Sequence, residues 1–298
     1  MPKRLQPKKF KRIVHTLKNK IVLICSVAGF CVPLQICAQS VLIEAGNFTP
    51  LYGVKPDQKE VHVKAFRLDV HPVTTQKFHE FLKAHPKWYP KKISKILADS
   101  EYLSHWEKGM YPKEEAFSPV TNISWFAAHA YCQSQGGRLP TVLEWEYVAA
   151  ASETKKDASR DPKFLKKLLS WYSKPYSGKL SNVGKEKPNF WGVYDMHGLI
   201  WEWTQDFNSV FVTGDNRQDK DKVKALFCGG GALGASSKEN YAAFMRYALR
   251  NSVQGKYTLI NLGFRCAYDR DVIPRESGES ILFPLLDTSY FSLRIFFI

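Results

Sequence analysis

The segment YDMHGLIWEW, at residues 194–203, combines residue types whose spacing suits metal binding. Asp195 and Glu202 are carboxylates seven positions apart, with the backbone carbonyls of Gly198 and Ile200 between them. Calcium takes carboxylate and carbonyl oxygens, and a glycine lets the chain turn so that its carbonyls point inward. From the residues alone, a structural turn in an aromatic core is favoured over a metal loop. A pair of catalytic acids is the weakest interpretation, because no nucleophile is near.

Cysteines are the second set of groups that could do chemistry. Three of the six lie in an apolar run near the N-terminus, and Cys132, Cys228 and Cys266 lie in the remainder of the chain. Disulfides persist in the oxidising compartments that receive exported proteins. Because three is an odd number, one of these thiols is expected to stay free or to pair between chains.

The formal charge of +15 is concentrated at the N-terminus. Residues 1–20 hold eight Lys and Arg and no acid, and the apolar run that follows has no charge. This pattern, ending in the small residue Ala38, predicts a secretory signal peptide over residues 1–38. An N-terminal anchor is the alternative, because the apolar run is just long enough to span a bilayer. Residues 21–38 would then lie in the membrane. Without residues 1–38 the formal charge falls to +7, and no nucleic-acid-binding module is visible.

Several segments could hold these groups in place. EVHVKAFRLDVHPV, residues 60–73, alternates with one phase slip near Ala65, which predicts a bulged strand. Thr74 or Thr75 is expected to cap a helix with an apolar face over residues 78–85, and Ser124 to cap a second helix that ends near residue 136. Residues 86–118 are rich in Lys and Pro and are expected to run over the surface.

RLPTVLEWEYVAAA predicts a further helix, opened by a capping box of Thr141 and Glu144. Glu146 is expected on the surface of that helix. FLKKLLSWY, residues 164–172, is amphipathic, and its lysines are expected to face solvent. Beyond residue 185 the chain shows little helix signal and many glycines, so the sequence predicts an α+β protein with much irregular structure. His197 is expected to pack or to face solvent.

Three segments, in this order, carry a resemblance to a known family: PVTNISWFAAHAYC…GGRLPTVLEWEYVAAA, VGKEKPNFWGVYDMHGLIWEWTQDF and NLGFRCA. They resemble the formylglycine-generating enzyme, or sulfatase-modifying factor, family from about Val41 to Asp269. The resemblance implies a single α+β domain at residues 41–270, related to the C-type lectin-like fold and poor in regular secondary structure. The tail at residues 271–298 lies outside it and has no assigned role.

The resemblance also implies three features of the site. Asp195, Gly198, Ile200 and Glu202 match a calcium-binding loop of the family. The family's other calcium loop is expected near residues 160–178, where YSKPYSGKL has no acid at the required place. The family pairs the two positions that Cys132 and Cys266 occupy here, which implies a disulfide.

The family's oxidation chemistry depends on two cysteines five residues apart, which bind copper(I) and engage a substrate cysteine. Soft thiolates suit copper(I). Counting forward from Gly229 places these positions at Gly234 and Glu239, and counting back from Arg250 places them at Ser237 and Ala242. On either count the chain has no cysteine there, and it has none between Gly229 and Arg265.

Copper is therefore not expected. Cys228 is interpreted as a buried structural thiol, with a redox or catalytic thiol as the alternative. The family is an oxygen-dependent oxidoreductase, but without its catalytic pair this chain is expected to act as a binding or maturation factor for a secreted enzyme or metalloenzyme. Its partner is expected to be a periplasmic protein or peptide, with membrane contact only through residues 21–38 if the signal segment is kept.

A narrower resemblance, at residues 97–106 and in NYAAFMRYALR, is to exported proteins associated with copper nitrite reductases. An oxidoreductase with a different metal or thiol site is the alternative, although no histidine pattern for mononuclear iron is present. A lectin-like sugar binder is the third hypothesis, from fold analogy alone.

Overall fold

The structure, a computed structural model, describes residues 40–50, 60–173, 178–207 and 238–272, without the side chains of 238–240. All of them belong to one unit, Gln39–Ile298. The predicted signal peptide or anchor, Cys228 and nearly all of the C-terminal tail lie outside the described residues. No described helix is long and apolar enough to cross a membrane.

In the residues that the structure describes, seven short strands form three small sheets. In chain order they are β1 (Ser40–Ile43), β2 (Gly46–Phe48), β3 (Val61–Val63), β4 (Phe66–Asp69), β5 (Trp201–Glu202), β6 (Leu262–Gly263) and β7 (Ala267–Asp269). The largest sheet has the order β1-β4-β7, with β4 antiparallel to both neighbours. β2 pairs with β3 antiparallel, and β5 pairs with β6 parallel. The β5–β6 pair brings the C-terminal end of YDMHGLIWEW next to the NLGFRCA segment.

The phase slip in residues 60–73 marks a break between two strands, so the prediction of one bulged strand is wrong. β3 ends at Val63 and β4 begins at Phe66, and the two strands belong to different sheets. Val63 and Phe66 are both buried, in the same apolar cluster. Two side chains three positions apart in one strand point to opposite faces. The chain therefore leaves the strand between them and enters a second sheet.

The described part of the chain also contains five α-helices. They are α1 (Thr75–Ala84), α2 (Trp125–Ser134), α3 (Val142–Ala149), α4 (Pro162–Tyr172) and α5 (Lys238–Ser252). Single 3-10 turns follow α1 at Pro86–Trp88 and precede α2 at Lys113–Glu115. The N-caps Thr74 and Ser124 and the capping box of Thr141 and Glu144 are confirmed, because each cap hydroxyl accepts a backbone N–H of the first turn.

Two expectations about the fold are wrong. The segment 86–118 is not a simple surface excursion, because its aromatic side chains Trp88, Tyr102 and Trp106 are buried in the larger of two apolar clusters. The second is the lack of helix beyond residue 185, where α5 runs for 15 residues. The α+β class with little regular structure is confirmed.

Candidate functional site

The predicted disulfide is present. Cys132 on α2 and Cys266, directly before β7, are bonded, with Cα atoms 5.4 Å apart and 134 positions of sequence between them. Both are buried in the larger apolar cluster. The bond fixes α2 beside β7, an edge strand of the three-stranded sheet. Cys266 directly follows Arg265 in the chain.

Asp69, at the end of β4, is hydrogen-bonded to the residues that flank this bond. Its Oδ2 accepts the backbone N–H of Cys266 at 2.9 Å, and its Oδ1 accepts the hydroxyl of Tyr268 at 3.1 Å. No described cation forms an ion pair with this carboxylate. Burial therefore dominates, and it raises the pKa of Asp69 to about 6.

Glu202, one of the predicted calcium ligands, forms a buried ion pair with Arg265. Its Oε1 accepts from Nε and Nη2 of Arg265 at 3.1 and 2.8 Å. Its Oε2 accepts from Nε of Arg265 and from the indole N–H of Trp145, both at 2.8 Å. The β5–β6 pairing places the two partners together, and the remaining guanidinium hydrogens go to backbone carbonyls, among them that of Tyr194 at 3.0 Å. The pair is sealed from solvent.

Asp195, the other predicted carboxylate ligand, lies apart from that pair in a left-handed turn, with φ at 57°. Its Oδ2 accepts the backbone N–H of Gly184 at 2.6 Å and lies 3.9 Å from Nδ1 of His71. Gly198 also has a positive φ, 96°, which a glycine adopts without strain. Gly198 is exposed, whereas Ile200 is buried in the structure.

These contacts decide how the predicted calcium ligands fit. A carboxylate offers about four acceptor positions, and Glu202 uses all four in bonds to Arg265 and Trp145. A cation at Glu202 would also stand beside the positive charge of Arg265. In this arrangement Glu202 does not fit calcium, and the ligand set Asp195, Gly198, Ile200 and Glu202 stays a prediction. The described part of the chain contains no group of three or more His, Cys, Asp or Glu side chains placed to hold a metal.

The burial of another carboxylate, that of Glu146, was missed by the sequence-based interpretation. Glu146 on α3 was expected at the surface, but it is 5% exposed and pairs with two arginines of α5. Arg246 donates to both of its oxygens, with Nη2 to Oε2 at 2.6 Å, and Nη1 of Arg250 donates to Oε1 at 2.7 Å. Burial opposes the charge of Glu146, but the two arginines outweigh burial and lower its pKa to about 2.

Trp145 joins the two ion clusters. Its indole N–H bonds Glu202, while the guanidinium carbons of Arg250 and Arg246 lie 4.7 and 5.8 Å from its ring centroid. Cations over an indole face are attracted by the ring quadrupole. We call Glu146, Glu202, Arg246, Arg250, Arg265 and Trp145 the buried charge cluster. The arginines carried no sequence signal, since an arginine on a helix or in a loop is usually solvated.

His197 packs beside this cluster. Its Nε2 donates to the backbone carbonyl of Ala149 at 2.8 Å, and its ring meets Trp145 and Phe164 edge-on. Burial, with help from the charge of Arg246, lowers its pKa to about 3, so the ring is neutral at physiological pH. The expectation that His197 packs rather than binds a metal agrees with these contacts.

Of the positions counted for the family's two cysteines, Glu239 and Ala242 lie in the first part of α5. Gly234 and Ser237 fall outside the described residues, as does the side chain of Glu239. Ala242 is 2% exposed and borders a space of only about 30 Å³ between α4 and α5.

A further pocket lies on the other side of α4. It is a cleft of about 330 Å³, walled by residues 151–154, by α4 and by the loop 186–197. Lys167 crosses it with ion pairs of 3.8 Å to Glu153 and 3.5 Å to Glu186. Asp195 lines it, whereas Glu202 does not. We call this space the Asp195 cleft.

Comparison with known proteins gives one family. Residues 32–270 match the family described as sulfatase-modifying factor enzyme 1-like domain. The formylglycine-generating enzyme of Mus musculus is 29% identical over 225 residues, which cover 64% of this chain and 53% of that protein. The inactive C-alpha-formylglycine-generating enzyme 2 of Mus musculus is 28% identical over 249 residues, which cover 70% and 77% of the two chains.

A third relative is the serine/threonine-protein kinase pkn1 of Chlamydia pneumoniae. It is 30% identical over 184 residues, and the match covers 59% of this chain and 29% of that protein. The chain therefore spans less than a third of this relative and about half of the mouse formylglycine-generating enzyme. Among solved structures, CarF aligns with a TM-score of 0.44 at 17% identity, over 77% of this chain and 97% of CarF.

Proposed function

Because this chain belongs to the sulfatase-modifying factor enzyme 1-like domain family, we propose that it is an exported member that binds another protein instead of oxidising a cysteine. In this proposal it is a maturation factor for a secreted enzyme, which is expected to carry a metal. Its partner is a protein or peptide segment in the periplasm. Neither copper nor a nucleic acid has a role.

One observation carries the proposal: the chain has no cysteine between Gly229 and Arg265, where the family's copper-binding pair would stand. Copper(I) requires soft ligands, and neither Ser237 nor Ala242 offers one. Of the three cysteines that follow the predicted signal peptide, Cys228 is the one outside the bond between Cys132 and Cys266. One thiol cannot both hold the metal as a pair and exchange with a substrate thiol.

The packing of α5 supports the same proposal. Ala242 is buried under α4, and Arg246, one turn further along, is bonded to Glu146 in the buried charge cluster. In this chain the described part of α5 stabilises the fold. That one relative is named as an inactive formylglycine-generating enzyme also agrees with a binding role.

The test is to isolate the protein from the exported fraction of the cells that make it, after mild cross-linking. We expect one secreted enzyme to copurify, and its active, metal-loaded fraction to fall when the gene for this chain is deleted. If deletion leaves the activity and metal content of every copurified enzyme unchanged, the maturation role is wrong. A stoichiometric redox metal in the purified protein would favour an oxidoreductase, and selective binding on a glycan array would favour a lectin.

Export is tested separately. The basic N-terminus and the apolar run before Ala38 support cleavage, with a mature protein that begins near Gln39. N-terminal sequencing of the isolated protein should give that residue. Recovery of residues 1–20 from a membrane fraction would show that the segment is kept as an anchor.

A further inference from the structure

The Asp195 cleft contains a carboxylate with a vacant acceptor. The side chain of Asp195 is 4% exposed and lines the cleft, and its Oδ2 is bonded to the N–H of Gly184. No described residue donates a hydrogen bond to Oδ1. The nearest cationic candidate is His71, whose Nδ1 is 3.9 Å from Oδ2, too far for a hydrogen bond. Oδ1 is thus left for a ligand in the cleft.

The cleft around this carboxylate is apolar. Leu168 of α4 and Val193 and Met196 of the loop are buried side chains that line it, and half-buried Phe164 adds a ring. A carboxylate recessed among apolar side chains is solvated poorly, which favours a ligand that pairs with it. A volume of about 330 Å³ accommodates one long side chain but not a folded element.

The rim of the cleft carries both positively and negatively charged side chains. Glu153 and Glu186 are paired with Lys167, whereas exposed Lys163 and Lys187 form no ion pair with any described residue. The two free lysines repel a ligand that is only cationic and attract one that also carries an acid. The complementary ligand has a deep positive group on an apolar stem and a negative group near the surface.

Lysine and arginine side chains have this form, because an aliphatic stem ends in a cation. Resting on the proposed function for the nature of the partner, we propose that the Asp195 cleft binds a lysine or arginine side chain of a partner segment that has an acidic neighbour. The cation bonds Oδ1 of Asp195, the stem lies on Leu168 and Met196, and the neighbouring acid meets Lys163 or Lys187. Calcium at the same carboxylate is the competing occupant.

Two capped tripeptides test this inference, Ac-Glu-Lys-Gly-NH2 and Ac-Glu-norleucine-Gly-NH2, which differ only by the ammonium group. Isothermal titration of the purified protein should show the lysine peptide binding about tenfold or more tightly than the norleucine peptide, since a recessed charge pair contributes strongly. The variant Asp195→Asn should bind both peptides equally weakly. Asparagine keeps an oxygen for the N–H of Gly184 and tolerates the left-handed turn, and an unchanged melting temperature verifies the fold.

Glu114→Gln is the matched control, because Glu114 is an exposed carboxylate that does not line the cleft. It should keep the preference for the lysine peptide. The inference is overturned if neither peptide binds, if both bind wild-type protein equally, or if the preference survives in Asp195→Asn. It is also overturned if calcium alone binds at Asp195 and displaces the peptide.

Failure here is distinguishable from failure of the proposed function. A partner that still copurifies with Asp195→Asn would leave the maturation role in place and reject only this cleft. If the wild-type protein has no partner whose maturation depends on it, the proposed function is rejected even where the tripeptides bind.

Discussion

The buried charge cluster and the Asp195 cleft are built from the same residue types on neighbouring segments, yet they differ in how their charges are used. Glu146 and Glu202 are each bonded to arginine side chains within 3 Å, and Trp145 joins the two pairs. Asp195 has one occupied oxygen and no cation at hydrogen-bond distance. Removing one partner of a fully paired buried charge destabilises the fold, whereas an unpaired, recessed charge is a place for a ligand.

The largest expected effect comes from opening the cluster. Arg265→Met leaves Glu202 buried without its cation, which should lower the free energy of unfolding by about 3–5 kcal/mol. Urea denaturation measures the loss. The control Arg138→Met removes a partly exposed pair with Glu144, whose contribution should be about 1 kcal/mol or less. Equal losses of unfolding free energy in the two variants would show that the buried pair of Glu202 contributes no more than the partly exposed pair of Glu144.

The disulfide next to Arg265 should come second. Cys132→Ala with Cys266→Ala removes a link that closes 134 positions of chain, and removal of native disulfides costs about 2–5 kcal/mol. We expect about 3 kcal/mol by thermal unfolding. Cys228→Ser is the control that should leave the link intact. A peptide map that joins Cys228 to either Cys132 or Cys266 would contradict this assignment.

The pH dependence of stability at Asp69 tests the same comparison. Asp69 is buried like Glu146, but no arginine is bonded to its carboxylate. Its pKa is raised to about 6, so between pH 4 and 6 the folded protein holds a proton that the unfolded chain has lost. The stabilisation from this proton is present below pH 4 and disappears as the pH rises through 6.

The stability of wild type relative to Asp69→Asn should therefore fall by roughly 2 kcal/mol as the pH rises from 4 to 7. Chemical denaturation of both proteins at each pH measures this difference in stability. Because the two proteins share every other titratable group, the contributions of those groups cancel. Glu146, whose pKa is lowered to about 2, should behave oppositely and lose its stabilisation as the pH falls from 4.5 toward 2. A pH-independent difference at Asp69 would contradict the raised pKa.

A smaller effect is expected at the start of α3, which carries Trp145 and Glu146 into the cluster. Thr141→Ala removes the cap hydroxyl and half of the capping box, at a cost of about 1 kcal/mol. Exposed Thr154→Ala at the rim of the cleft is the matched control and should change little. A thermal shift as large for Thr154 as for Thr141 would show that the cap has no role.

Calcium should have the smallest effect. A ligand present at a hundredfold excess over its dissociation constant stabilises a native protein by roughly 2.7 kcal/mol. Because the acceptor positions of Glu202 are used by Arg265 and Trp145, we expect neither calcium nor a chelator to move the melting temperature. A calcium-dependent rise that is lost in Asp195→Asn would restore the ligand set that the sequence predicts.

The parts of the structure that sequence analysis predicted are the ones with local causes. Thr74, Ser124 and Thr141 act as caps through bonds to residues three positions away, so their signals are contained in the sequence. The disulfide between Cys132 and Cys266 was available from the family resemblance. The fold class followed from the same segments.

The parts that were missed depend on contacts between distant residues. Glu146 and Arg246 are 100 positions apart, so nothing near Glu146 signals that its carboxylate is buried. The ion pair of Glu202 was missed because Arg265, 63 positions later, could not be placed beside it from the sequence. The helix α5 was missed because the segment before it is rich in glycine, and the helix is held by packing against α4 and by the arginine pairs.

The central claim is that this family member does not oxidise a cysteine by the two-cysteine route. The most direct measurement incubates the mature protein with copper(I), oxygen and a peptide that contains Cys-x-Pro-x-Arg, with the mouse formylglycine-generating enzyme as the positive control. Mass spectrometry should detect the aldehyde with the mouse enzyme and none with this protein. Conversion of the peptide by this protein, abolished in a folded Cys228→Ser variant, would contradict the claim and make Cys228 catalytic.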